Sequence, residues 1–315
     1  LVVSNPFLFK KMNSSTIGGQ AVIEGVMMKS SKGWAVAVRN PEGDIIVQSE
    51  KFKKQSLLTK IPIIRGFFIL IQTMWLGLKA IDFSSKVVFK EEKSNPWSMA
   101  LSLILAFFIG IALFIVLPLY LTKLTGYFLN LVQINPFLFN FVDGILRVII
   151  FIGYVYGIAL WPQMGRIFAY HGAEHKVINA FETEKVLDIE NVSKYSRFHV
   201  RCGTSFIFIV LIISILFFSM IPSSWSFMMK ALSRIILLPI IAGISYEILK
   251  LSAKWQNTRF GKIIIAPGLL FQKITTKEPD KSQIEVAITA LKTVLNLDDS
   301  SLLRDSACSR MPVKN

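Results

Sequence analysis

Long stretches free of charge dominate the hydrophobic pattern of this chain. No Asp, Glu, Lys or Arg occurs from Ser94 to Thr122, from Val148 to Gly165 or from Cys202 to Met229. Each stretch holds about 20 apolar residues, enough to cross a hydrocarbon core about 30 Å thick. The pattern predicts transmembrane spans at 97–121, 145–161 and 203–221. A fourth, at 233–251, carries Glu247; its ends, Arg234 and Lys250, can reach the two interfaces with their long side chains. Residues 66–78 are apolar but short, bounded by Arg65 and Lys79, so 61–90 is predicted to be an interfacial or re-entrant helix. The run 124–142 is dotted with Asn130, Gln133, Asn135 and Pro136 and reads as a connection on the outer surface.

Outside the spans the period changes. Trp34–Val38 and Asp44–Gln48 flank Asn40-Pro41-Glu42-Gly43, a strand–turn–strand pattern inside a β element at 17–60. Gly18 and Gly19 before it suit a tight turn or a close backbone approach. Glu24 lies in an otherwise apolar run, Val22 to Met28, either as a solvent-facing strand residue or as an acid carried into a site. Ala266-Pro267-Gly268 reads as a turn. Within the C-terminal segment 252–297, an amphipathic helix opens after Thr275–Pro279, with Ile284, Ala287, Ile288, Leu291, Val294 and Leu295 on one stripe. Residues 1–16 read as an N-terminal extension without a cleavable signal peptide, and 298–315 as a disordered tail. The predicted fold class is an α-helical polytopic membrane protein with about four transmembrane helices. A small cytosolic α+β part comes from its N- and C-terminal regions.

Composition sharpens this picture. Of 315 residues 53% are hydrophobic and mean hydropathy is +0.54, yet the formal charge is +15. A disordered basic tail would be poor in apolar residues, and a soluble basic domain rarely reaches this hydropathy. Two cysteines, Cys202 and Cys308, make neither a disulfide scaffold nor a zinc ribbon. The charge is distributed by side. Segments 1–96, 162–202 and 250–315 hold 31 of the 35 basic residues, which predicts both termini and the 162–202 loop to be cytosolic. The basic excess is therefore read as topology. No nucleic-acid-binding motif accompanies it, no nucleic-acid partner is expected, and membrane lipids with anionic headgroups are the nearer partner.

The candidate chemistry sits in that loop. The chain has three histidines, His171, His175 and His199, all within 162–202. His171-Gly172-Ala173-Glu174-His175 has the order His-x-x-Glu-His, the inverted zincin pattern. On a helix both imidazoles share one face and can reach one ion, with Glu174 about 80–100° around, placed to act as a general base on water. The histidines lie within the apolar stripe of Met164, Ile167, Phe168, Ile178 and Phe181, while Lys176 points away. The plain alternative is a pair of interfacial histidines held by backbone or headgroups. Buried imidazoles and a carboxylate need partners, however, and one divalent cation, zinc first, would serve all three. His199 is the leading third ligand, with Cys202 and Glu247 as alternatives; a small buried cysteine at a helix start and an ion pair of Glu247 with Lys250 or Lys254 are their bland readings. Arg201 can meet an anionic substrate group or a headgroup, and Glu24 can assist.

Several blocks together resemble the YqhQ-like family: Ile17-Gly-Gly-Gln-Ala-Val-Ile-Glu-Gly-Val-Met-Met28, Tyr170-His-Gly-Ala-Glu-His-Lys176, Arg201-Cys-Gly-Thr-Ser-Phe206, Tyr246-Glu247, Pro267-Gly268 and Glu285-Val-Ala-Ile288. The resemblance covers about 17–295. It implies a bacterial multi-pass protein of the cytoplasmic membrane, in a family of unknown function labelled a predicted metal-dependent enzyme. Two functional expectations follow. One is a metal-dependent hydrolase at the cytosolic interface, acting on a membrane-embedded or lipid-linked substrate. The other is a non-catalytic membrane scaffold or assembly protein with a structural metal or polar knot.

Overall fold

The structure, a computed structural model, describes residues 17–52, 61–90, 96–183, 186–222, 224–255 and 258–298. The extension at 1–16 and the tail past 298 lie outside those residues. The chain is a mostly helical membrane protein with a small antiparallel sheet near its N-terminus.

Four strands, β1 (Gly18–Val22), β2 (Gly25–Lys29), β3 (Gly33–Arg39) and β4 (Ile45–Lys51), form a meander in sequence order. The pattern had shown only the last two. β2 hid in the apolar run 22–28, because a strand buried on both faces loses its alternation, while β1 is only partly buried and opens with two glycines. Glu24 sits in the two-residue turn joining them, at φ 48°, a left-handed conformation uncommon outside glycine.

Both faces of the sheet are covered. Val22, Met27, Trp34, Val36 and Val38 pack on Leu76 and Ala80 of α1 (Ile64–Phe89). Val26, Met28, Ala35 and Ala37 pack on the helix α6 (Pro162–Glu182) and on the C-terminal helix Lys281–Asp298, whose stripe Ile284, Ala287, Ile288, Leu291, Val294 and Leu295 is buried there. Edge strand β4 is left exposed and carries Gln48, Glu50 and Lys51, side chains that discourage pairing with another chain.

Among the described residues, four helices are long and apolar enough to cross a membrane: Ile64–Phe89, Ala100–Phe128, Pro136–Ala159 and Phe227–Ser252; Gly203–Ser219 is apolar but shorter. The second is continuous through α2 (Pro96–Ile111), a π-helical turn (Ala112–Val116) and α3 (Leu117–Phe128). After the short α4 (Asn130–Ile134) comes α5 (Pro136–Ala159). Residues 136–142, read from sequence as outer connection, are thus the start of a helix. Asn135 caps it by accepting from the backbone N–H of Phe137 and Leu138, Pro136 stands in its first turn, and the Asn140 amide donates to the Pro136 carbonyl.

The remaining helices are α7 (Ile189–Ser193), α8 (Gly203–Ser219), α9 (Phe227–Lys254), α10 (Arg259–Thr275) and α11 (Lys281–Asp298). The expected turn at 266–268 is the interior of α10. Gly268 lies so close to Ser205 of α8 that a Cβ would stand 2.3 Å from its Oγ, and this tight packing overrides the local turn preference of Pro267. The stretch 66–78 belongs to the 26-residue α1. Its start lies against α9, where Gly66 meets Gly243 and Tyr246, and its later half covers the sheet.

Candidate metal centre

The site lies where β1, α6, the start of α8 and the end of α10 meet. Helix α6 begins with Pro162 in its first turn and carries His171, Glu174 and His175 on the flank facing the bundle. The segment after it folds back and is tied to it through carbonyls. Lys176 Nζ donates to Ser193 O (2.7 Å), and the Asn179 amide donates to Ser196 O (2.8 Å) and Phe198 O (3.1 Å). Lys176 was expected to point away; it is instead buried, because the Ser193 carbonyl and Glu278 (2.5 Å) compensate its charge. This return delivers Cys202 as the N-cap of α8, its Sγ accepting from Thr204.

One ligand atom from each of His171, His175 and Cys202 can be chosen so that all lie within 4.8 Å of one another. His171 Nε2 is 3.2 Å from Cys202 Sγ, and the two imidazole centroids are 4.4 Å apart. Both rings are oriented from behind. His171 Nδ1 lies 2.8 Å from Thr275 O and His175 Nδ1 2.6 Å from Arg197 O. A carbonyl only accepts, so each Nδ1 carries a hydrogen and each Nε2 is turned toward the site. Backbone carbonyls on the far nitrogen are a regular accompaniment of metal-ligating histidines.

Glu174 is 5% exposed, with Oε2 at 3.9 Å from His171 Nε2. Burial raises its carboxyl to about 7, opposed by the histidine's influence and by the Gly19 N–H that donates to it. Gly19 can come so close because it has no side chain: a Cβ would stand 2.8 Å from the Glu174 Cγ. Burial also holds His175 well below its usual range and pushes the Cys202 thiol up to about 12, with the Glu174 charge adding to the latter. The neutral His175 imidazole is ready to ligate, whereas the thiol needs a cation to displace its proton.

The other candidates are placed differently. His199 stands beside the cluster, 5.7 Å from His175 between ring centroids, its backbone N–H and C=O both bonded to the Gln272 side chain at 2.9 Å. Burial lowers it to about 4, so it is neutral near pH 7 and its 3.6 Å approach to Glu182 is no ion pair. Arg201 pairs with Glu182 at the rim. Glu24 accepts from Arg166 Nε and Nη2, both at 2.5 Å, and from Tyr170 at 3.2 Å, which ties the β1–β2 turn to the first turns of α6. Glu247 accepts from Arg65 and the Ile63 N–H, joining α9 to α1, and is not in the group gathered around His171 and His175. The structure therefore brings together His171, Glu174, His175 and Cys202, with His199 and Arg201 adjacent. The sequence did not reveal Thr275 and Arg197, which act through their carbonyls, or Gln272.

The family described as "Protein of unknown function (DUF1385)" matches residues 61–297. "Uncharacterized protein YqhQ" of Bacillus subtilis (strain 168) is 34% identical over 303 residues, covering 89% of this chain and 92% of that protein. No solved structure matches. The chain thus belongs to the DUF1385 family of proteins of unknown function, in which YqhQ is its relative.

Proposed function

We propose that this protein is a metal-dependent hydrolase of the bacterial cytoplasmic membrane, working at the cytosolic interface. His171, His175 and Cys202 would hold one divalent cation, zinc first, since two imidazoles and a thiolate suit its tetrahedral preference and leave one position open. The bound cation would polarise the bond to be cleaved. Glu174, with its carboxyl near 7, is suited to take a proton from water at that position and return it to the leaving group. The substrate class that fits a site between bundle and sheet is a membrane-embedded peptide or a lipid-linked ester or phosphate. The observation that carries this reading is the pair of imidazoles, each fixed through Nδ1 by a carbonyl, converging with Cys202 beside a buried glutamate.

The packing of the sheet, α6 and α11 into one body supports the location. N-terminal, central and C-terminal segments then share one side of the membrane. Ala100–Phe128 leaves that side, α5 returns, α8 leaves and α9 returns. Helix α1 must then start and end on the same side, entering the bundle beside α9 and emerging under the sheet. The 31 basic residues on these segments make that side the cytosol.

Burial of Glu174 favours a second reading: its carboxylate could close the coordination as a fourth ligand, giving a structural site in a scaffold protein. Elemental analysis of the purified full chain separates the two. A catalytic site retains about one zinc in Glu174→Gln and loses it in His171→Ala/His175→Ala and in Cys202→Ser. A structural site loses it in Glu174→Gln as well. Wild-type protein free of metal would overturn both.

A further inference from the structure

A second polar centre lies about 18 Å along the bundle from the metal centre, the length of α8 from Cys202 to Ser214 at 1.5 Å per residue. Stretches 97–161 and 203–246 contain five Asp, Glu, Lys or Arg residues: Lys123, Asp143, Arg147, Lys230 and Arg234. They come from α3, α5 and α9 and converge. Asp143 bridges two arginines, its Oδ2 2.8 Å from Arg147 Nη2 and its Oδ1 2.8 Å from Arg234 Nη1. Arg147 also donates to Ser214 Oγ (3.2 Å), and Arg234 to Asn140 Oδ1 (3.1 Å). Both guanidinium groups lie over the Phe218 ring, at 4.8 and 5.1 Å. Lys230, one turn before Arg234, rests its ammonium 4.5 Å over Phe139 and lies in the field of both Arg234 and Lys123.

This cluster is unbalanced. Asp143 is completely buried and has both oxygens engaged, yet it faces two guanidinium charges with two ammonium groups at the rim. The Nε of Arg147 and of Arg234 are buried and have no hydrogen-bond partner among the described residues. Each guanidinium offers five donors, and the neighbours present accept few of them. Excess positive charge between membrane helices is costly unless an anion compensates it. Arginine forks match phosphate oxygens in particular, and lysines at the rim draw a phosphate inward.

We propose that this cluster is a binding site for a phosphate group, entered past Lys123 and Lys230 with Arg234 and Arg147 behind. The group belongs either to a phospholipid headgroup at that end of the bundle or to free phosphate. The proposal does not depend on the metal centre.

Unfolding of the full chain, delipidated in neutral detergent, tests it with three probes: short-chain phosphatidylglycerol, the matching diacylglycerol without phosphate, and inorganic phosphate. The expected result is a raised midpoint with phosphatidylglycerol and none with diacylglycerol. In Lys123→Gln/Lys230→Gln the concentration giving half the shift rises about tenfold or more, the loss of a charge-assisted contact. Lys262→Gln/Lys273→Gln, which removes equal charge from α10, leaves that concentration unchanged. The same shift from inorganic phosphate alone, weakened in the same variant, assigns free phosphate as the source. No shift with either phosphate probe overturns the proposal, as does a shift that both lysine pairs weaken equally. The midpoint without ligand confirms that the rim variants fold.

Discussion

At the scale of single residues, burial shifts the protonation of Glu174, His175, His199 and Cys202. His199 is the clearest case for a test. Its pKa falls from 6.5 to about 4 on folding, because burial penalises the charged ring. The unfolded chain then binds more protons than the folded one between those values. His199 therefore contributes stability that is fully present above about pH 6.5 and lost as pH falls through about 4, roughly 3 kcal/mol in all. In metal-stripped protein, His199→Gln should flatten the fall of the unfolding midpoint between pH 6.5 and 4. An acid profile identical to wild type would sink this account. Glu174 works in the opposite sense: its raised carboxyl favours the folded state below the ordinary carboxylate range, and that contribution fades as pH rises through about 7. Much of this was legible in the sequence, since His-x-x-Glu-His places its groups by helical spacing alone. Which third group would join the two imidazoles was not. Choosing among His199, Cys202 and Glu247 requires knowing where α8 and α9 begin relative to α6, and only tertiary packing decides that. Gly19 lies between these cases: a glycine pair announces a close approach but not what approaches.

At the scale of elements, the contact of α1 with α9 carries the most weight. Gly66 and Gly243 let the two backbones approach, and a Cβ on Gly243 would stand 2.5 Å from the Ile63 carbonyl oxygen. Small residues at helix crossings serve this end in membranes. Arg65 and Glu247 then close the contact with paired hydrogen bonds. Gly243→Val should cost about 1–3 kcal/mol through overpacking and speed hydrogen exchange at residues 61–66. Gly153→Val, where a Cβ meets open space, should do neither. The sequence marked the apolar run 66–78 as too short to span comfortably and placed it within a helix over 61–90, which the structure forms from Ile64 to Phe89. Its polar second half is covered by a sheet whose first two strands gave no alternation. The amphipathic stripe of α11 was readable throughout, because one face buries and the other does not.

At the scale of the whole molecule, the arrangement predicts sidedness residue by residue. Leu131 is exposed on α4 and Val47 on β4; the proposed topology puts the first outside and the second inside. In a Cys308→Ser background, Leu131→Cys should react with a membrane-impermeant thiol reagent in intact cells. Val47→Cys should react only after permeabilisation. Labelling of Val47→Cys in intact cells would overturn the parity of the crossings and place the histidines on the other side.

The candidate ligands of the proposed metal centre are held by separate parts of the chain. His171 is steered by the last carbonyl of α10, His175 by the returning segment, and Cys202 is the cap of α8. Sliding α8 against α10 would change the spacing of the ligand atoms. Such sliding is how a bundle accommodates a bilayer that is too thin or too thick. By reciprocity, a cation that binds one spacing better must also favour the matching bilayer. Zinc affinity in nanodiscs of graded acyl length should then pass through a maximum, making the site a gauge of membrane thickness; a flat dependence would show the ligands to be rigidly held.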